Sequence, residues 1–117
     1  MARSVVWTLE SAVEFARHVG QHATAAGWHV GIAGSVLHRG SSAKDLDLLV
    51  CPLRVPRDEP EATRDEELRA ALRNAGMTMR FDRTFVLAAW RRMGSVDEKW
   101  VEVWEHGGRR VDVFILR

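Results

Sequence analysis

The sequence predicts an α/β (α+β) fold, with a mixed β-sheet, helices packed on one face and a C-terminal β-hairpin. Three observations predict it. The runs "WHVGIA" and "DLDLLV" alternate or concentrate apolar residues as strands do, and segments of helical period lie on either side of them. Near the end, "KWVEVWEH" and "RRVDVFILR" flank Gly107-Gly108, the signature of a hairpin with a tight turn. The 117 residues are enough for one core and too few for two, so residues 1–117 are expected to form a single domain.

The first helix is expected from Thr8 to Ala26. Leu9, Ala12, Val13, Ala16, Val19 and Ala23 make one apolar stripe, Thr8 can cap the start, Glu10 suits the first turn, and Gly27 can end it. In "WHVGIA", Trp28, Val30 and Ile32 oppose His29, Gly31 and Ala33, and the small residues on the second face allow close approach to the backbone. Gly34-Ser35 breaks that strand and opens a short helix or turn anchored by Val36 and Leu37. "RGSSAK" reads as a loop, "DLDLLV" as the next strand, and Pro52 closes it.

A further helix is expected from Asp58 to Ala75. Acidic Asp58, Glu59 and Glu61 stand at its start with Pro60 in the first turn, and Arg69 and Arg73 stand near its end, as the helix dipole favours. Its buried stripe is Leu68, Leu72 and Ala75, and Gly76 stops it. "MTMRF" is consistent with a strand. From Arg83 to Met93 the pattern suits either a helix or a strand followed by a loop, with the second preferred.

Bulk composition narrows the classes of function. A formal charge of +1 gives no strong general attraction to nucleic acid or to an anionic membrane, though local basic patches remain open. The single cysteine, Cys51, excludes an internal disulfide and fits a reducing cytoplasm; it reads as a buried strand-end residue rather than a reactive thiol. No apolar stretch reaches membrane-spanning length, and no basic segment followed by an apolar run marks a signal peptide.

Chemistry concentrates in the stretch from Gly31 to Val50. Strand alternation points Asp45 and Asp47 to one face, about 7 Å apart at the usual rise per residue, with Leu46, Leu48 and Val50 on the other. Two such carboxylates repel unless a cation neutralises them. Their hard oxygens suit Mg²⁺, which also takes oxygens from phosphates. Asp112, in the apolar setting of "VDVF", completes a triad if its strand lies beside "DLDLLV". Gly34 allows a phosphate to come close, and Ser35 offers a hydroxyl beside free backbone N–H groups. Each part has a plainer reading: a turn for Gly34-Ser35, a solvated strand edge for Asp45 and Asp47, and an ion pair with Arg109 or Arg110 for Asp112. Their joint order and spacing favour metal-assisted phosphoryl transfer.

"AGSVLHRGSSAKDLDLL" followed by a distant "VDVF" resembles the nucleotidyltransferase superfamily related to DNA polymerase β. The family pattern is a hydrophobic residue, Gly, then Gly or Ser, a gap, and Asp-hydrophobic-Asp/Glu-hydrophobic. Ala33, Gly34 and Ser35 match its opening; Asp45, Leu46, Asp47 and Leu48 match its second part; Asp112 matches the third carboxylate. Departures are Lys44, where many small members have Ser, the gap from Val36 to Lys44, which is at the family's short limit, and the want of a helical domain after the last strand.

The resemblance implies a nucleotidyltransferase-like fold and transfer of a nucleoside monophosphate from an NTP to an acceptor hydroxyl, with release of pyrophosphate. Asp45, Asp47 and Asp112 would be the catalytic, metal-binding residues for two Mg²⁺ ions, and Gly34 and Ser35 would hold the β- and γ-phosphates. Arg39 and Lys44 flank the same loop and could steady a triphosphate. The acceptor stays open among protein, nucleic acid and small molecule, and so does a homodimer. The competing expectation is a non-catalytic or partner-dependent module, such as the antitoxin-like member of a two-component pair.

Other features weigh less. His18 and His22, one helical turn apart, could begin a metal site but read better as a solvated pair. His38 reads as an exposed loop histidine. Trp90, Trp100 and Trp104 could stack on a base but suit packing better.

Overall fold

The structure is a computed structural model and describes residues 5–53, 61–81 and 100–115. Helix α1, Leu9–Ala25, starts where Thr8 supplies a side-chain acceptor for the Ser11 N–H, while the Ser11 hydroxyl accepts from the Thr8 N–H. It buries Ala12, Phe15, Val19 and Ala23. Phe15 thus joins the stripe, whereas Leu9, expected in it, is exposed because it opens the helix on the solvent side. Strand β2, Trp28–Ala33, leads into the one-and-a-half-turn helix α2, Gly34–Arg39.

"RGSSAK" is not wholly a loop. Ser41–Ser42 forms strand β3, which pairs antiparallel with β1, Trp7–Thr8, in the register Trp7–Ser42 and Thr8–Ser41. Two residues per strand carry no periodicity, so only the pairing itself defines this ribbon. Strand β4 runs Asp45–Pro52 and helix α3 Glu61–Asn74, followed by Gly76 at φ +92°. The expected acidic helix start at Asp58, Glu59 and Pro60, and the ambiguous stretch from Arg83 to Met93 with Trp90, lie outside the described residues. Strand β5 is Thr78–Phe81, and β6, Trp100–His106, turns through Gly107-Gly108 into β7, Arg109–Ile115.

These elements make an α+β fold with a mixed five-stranded sheet of order β2-β4-β7-β6-β5. All neighbours are antiparallel except β4 and β7, which run parallel. One face presents Leu46, Leu48 and Val50 from β4 and Val111, Val113 and Ile115 from β7, all fully buried. They share a core with the stripe of α1 and with Leu68, Leu72 and Ala75 of α3. Glu102 lies on this helix-covered face at 1% exposure, and the Arg69 guanidinium of α3 reaches it through Nε at 3.0 Å and Nη2 at 2.8 Å. The Trp104 indole N–H also donates to Glu102, at 3.2 Å. Burying this carboxylate is tolerable where charged and polar partners such as these meet it.

No helix among the described residues is long and apolar enough to cross a membrane. Cys51, expected to be buried, is only partly so, because it sits near the end of β4 where the sheet gives way to exposed Leu53.

Candidate functional site

Backbone register assembles the three aspartates. In the parallel pair of β4 and β7, Asp47 stands opposite Asp112 and Asp45 opposite Arg110. Strand alternation sends the valines and leucines between them into the core and leaves the carboxylates on the other face. Ligand oxygens of Asp45, Asp47 and Asp112 lie within 4.8 Å of one another. Asp112 is buried, and the other two are partly buried.

The entry to β4 is fixed by a side chain of the preceding strand. The Ser42 hydroxyl accepts hydrogen bonds from the backbone N–H groups of Lys44 at 3.1 Å and Asp45 at 3.2 Å. Serine a few residues before an aspartate is a known turn-former, and this was the available signal. Ser42 itself is held by β1 through the Val6 N–H to Ser42 carbonyl bond of 2.9 Å.

On the other side of Asp47 stands Gly34. Ala33 pairs with Asp47 in the β2–β4 register, so the next residue turns over the carboxylate. Gly34 has φ +71°, a conformation that glycine adopts freely, and a Cβ built on it would overlap Asp47 Oδ2 and lie 2.9 Å from Cγ. The backbone therefore approaches the carboxylate as closely as a residue without a side chain allows.

Electrostatics at the site are unbalanced. Arg110 donates to Asp112 through Nε at 2.8 Å and Nη2 at 3.3 Å, and its Nε lies 3.9 Å from Asp45 Oδ2. One guanidinium faces three carboxylates. Burial, then the charges of Asp45 and Asp112, push Asp47 up from 3.8 to about 6, against partial relief from Arg110. Burial likewise raises Asp112, although its hydrogen bond from Arg110 acts in the opposite direction. The plainer reading of Asp112, an ion pair with Arg109 or Arg110, is met by Arg110, while the Arg109 guanidinium lies 3.9 Å from the Trp7 ring centroid.

A divalent cation fits this donor set. Two Mg²⁺–oxygen bonds of about 2.1 Å span at most about 4.2 Å, and two Ca²⁺–oxygen bonds span about 5 Å. Oxygens within 4.8 Å can meet on one ion or share two after small side-chain rotations. Burial is the main cause of the raised Asp47 carboxyl, and the charges of Asp45 and Asp112, only partly offset by Arg110, add to it.

The remaining expected residues are distributed differently. Ser35, beside Gly34, is exposed, as are Arg39 in the last turn of α2 and Lys44 just before β4. Among the described residues, no hydrogen bond or ion pair joins the side chains of Ser35, Arg39 or Lys44 to the triad. His38 is exposed. His18 places Nε2 2.9 Å from the Ala75 carbonyl oxygen, and its ring centroid is 5.3 Å from that of His22. Among the described residues, no third ligand joins these two histidines, and the aspartate triad is the cluster able to hold a metal. Trp104 is buried in the core, as are Trp7 and Trp28. No protein-family model matches the chain, and no curated protein is similar to it.

Proposed function

We propose that the chain is a metal-dependent nucleotidyltransferase of the DNA polymerase β-like superfamily, moving a nucleoside monophosphate from an NTP to an acceptor hydroxyl with release of pyrophosphate. The observation that carries this reading is the convergence of Asp45, Asp47 and Asp112 from two parallel neighbouring strands, with Gly34 close against Asp47. Asp45, Asp47 and Asp112 would hold two Mg²⁺ ions, which supply charge neutralisation for the phosphates and a lowered pKa for the attacking hydroxyl.

The chain's own residues do the rest. Asp112 would complete the acceptor-side metal site and so favour deprotonation of the acceptor hydroxyl. Gly34 opens a path for the β- and γ-phosphates toward the triad, and Ser35 offers them a hydroxyl and an N–H. Arg39 and Lys44, both exposed, are free to swing toward a triphosphate.

A second reading draws on Arg110. Its ion pair with Asp112 already neutralises part of the triad, as expected of a non-catalytic, partner-dependent module such as the antitoxin-like member of a two-component pair. One experiment separates the two. Pure protein is incubated with α-³²P-labelled NTPs and Mg²⁺, together with protein, RNA and small-molecule acceptors. The enzyme reading expects Mg²⁺-dependent label transfer that Asp47→Asn abolishes. No transfer in any arm, together with a stable complex with a protein partner, supports the module.

A further inference from the structure

The register of β4 with β7 brings the triad together, and the first residues of that ladder, Asp45 and Arg110, are tied further to one segment outside it. That segment is Val6–Leu9. On one side it pairs with β3: Trp7 is opposite Ser42, the Val6 N–H reaches the Ser42 carbonyl at 2.9 Å, and the Leu9 N–H reaches the Gly40 carbonyl at 2.8 Å. Ser42 in turn holds the backbone N–H of Asp45 at 3.2 Å. On the other side the Trp7 indole N–H donates to the Arg110 carbonyl at 3.1 Å, across 103 residues of sequence. Arg110 is the register partner of Asp45 and lies two residues before Asp112 on the same strand.

We propose that Trp7 is a positioning residue of the triad: through β3 and the Arg110 carbonyl it sets the separation of Asp45 from Asp112, and so the affinity of the site for a divalent cation. This rests on the metal-binding part of the function proposed above. Trp7 is fully buried, with its ring 5.3 Å from that of Phe15 and capped by the Arg109 guanidinium. A ring held on several sides has one orientation, so its N–H is a fixed strut between the starts of β4 and β7. Phenylalanine at this position keeps most of the packing and removes only the strut.

The test uses Mn²⁺ alone, followed by electron paramagnetic resonance on the full chain well below the melting temperature. Removing groups that orient metal ligands typically costs about 10- to 100-fold in affinity, so Trp7→Phe is expected to bind Mn²⁺ at least about tenfold more weakly than the wild type. Trp28→Phe is the control for loss of stability. Trp28 belongs to the same core but pairs with Pro52, at the end of β4 remote from the triad, and its replacement should leave Mn²⁺ affinity unchanged. Ser42→Ala, at the other end of the strut, should reproduce the affinity loss and decides the matter if Trp7→Phe does not fold. Unchanged affinity in a folded Trp7→Phe, or equal losses in Trp7→Phe and Trp28→Phe, would overturn the inference while leaving the metal site standing, as would unchanged affinity in Ser42→Ala where Trp7→Phe does not fold. No Mn²⁺ binding by the wild type would overturn the metal reading itself, and this inference with it.

Discussion

Gly34 and Asp47 occupy adjoining space, such that a single added carbon on Gly34 would overlap the carboxylate oxygen. Gly34→Ala is therefore expected to do two things. The positive φ should cost about 1–3 kcal/mol of stability, as left-handed backbone does for a residue with a side chain. The methyl group should also push Asp47 out of the triad and weaken Mn²⁺ binding. Gly40 provides the contrast, since it too has a positive φ, +80°, but nothing lies within 4 Å of its built Cβ. Gly40→Ala should melt lower yet bind Mn²⁺ as the wild type does; a matched loss of binding would show that Gly34 is no closer to the site than any strained turn.

Asp47→Asn separates a metal ligand from a structural carboxylate. Removing one of three crowded charges should leave the metal-free protein as stable as before or more so, because repulsion is relieved. Saturating Mg²⁺ stabilises whatever binds it, so the wild type should melt several degrees higher with the ion and the variant should hardly respond. A variant that melts lower without metal, beside a wild type indifferent to Mg²⁺, would mark Asp47 as structural.

The pH dependence has a definite sign. Asp47 takes up its proton near pH 6 in the folded protein against an ordinary value of 3.8, so between these values the folded chain holds more protons than the unfolded one. Stability from this group then rises as the pH falls. Burial, with Arg109 and His18, lowers His106, which works in the opposite direction because the unfolded chain accepts that proton more readily. Comparing the wild type with Asp47→Asn cancels His106. The variant's advantage in melting temperature without metal should be greatest above about pH 7, shrink steadily as the pH falls from about 6 toward 3.8, and be small only below that. A gap that stays constant with pH would mean that Asp47 carries no such shift.

Arg69 is expected to matter for the sheet rather than for the triad. Arg69→Ala removes two charge-assisted hydrogen bonds from the carboxylate of Glu102, itself 1% exposed, a loss of about 3 kcal/mol for a broken buried pair. Adding Glu102→Gln should recover part of it, because the remaining group is then neutral. Urea unfolding of the two variants measures both numbers, and a single variant within 1 kcal/mol of wild type would remove the pair from the list of stabilising contacts.

Much of this was legible because strands and helices write their period into the sequence. Asp45, Asp47 and Asp112 stood out as carboxylates set among residues that demand a strand, and the Gly107-Gly108 turn fixed the hairpin. The ribbon of Trp7–Thr8 with Ser41–Ser42 was not legible, since two-residue strands have no period to read. Nor was the bond from Trp7 to Arg110, which no local rule connects. Phe15 and Leu9 exchanged places in the helix stripe because apolar identity alone does not say which turn of a helix meets the sheet. The Ser42 hydroxyl was readable in principle from its distance to Asp45. Arg110 was foreseen as a partner of Asp112, but its nearness to Asp45 depends on strand pairing.

The place of β7 in the sheet also bears on time. It lies between β4 and β6, parallel to a strand laid down much earlier in the chain. Closing so long a connection costs entropy before any contact repays it, so this pairing belongs to the late stages of folding. The carboxylates meet only when it is complete, and a divalent ion has no site to occupy in any earlier intermediate. Its effect should fall almost wholly on one rate constant: Mn²⁺ should slow unfolding in strong denaturant and leave the refolding rate nearly unchanged.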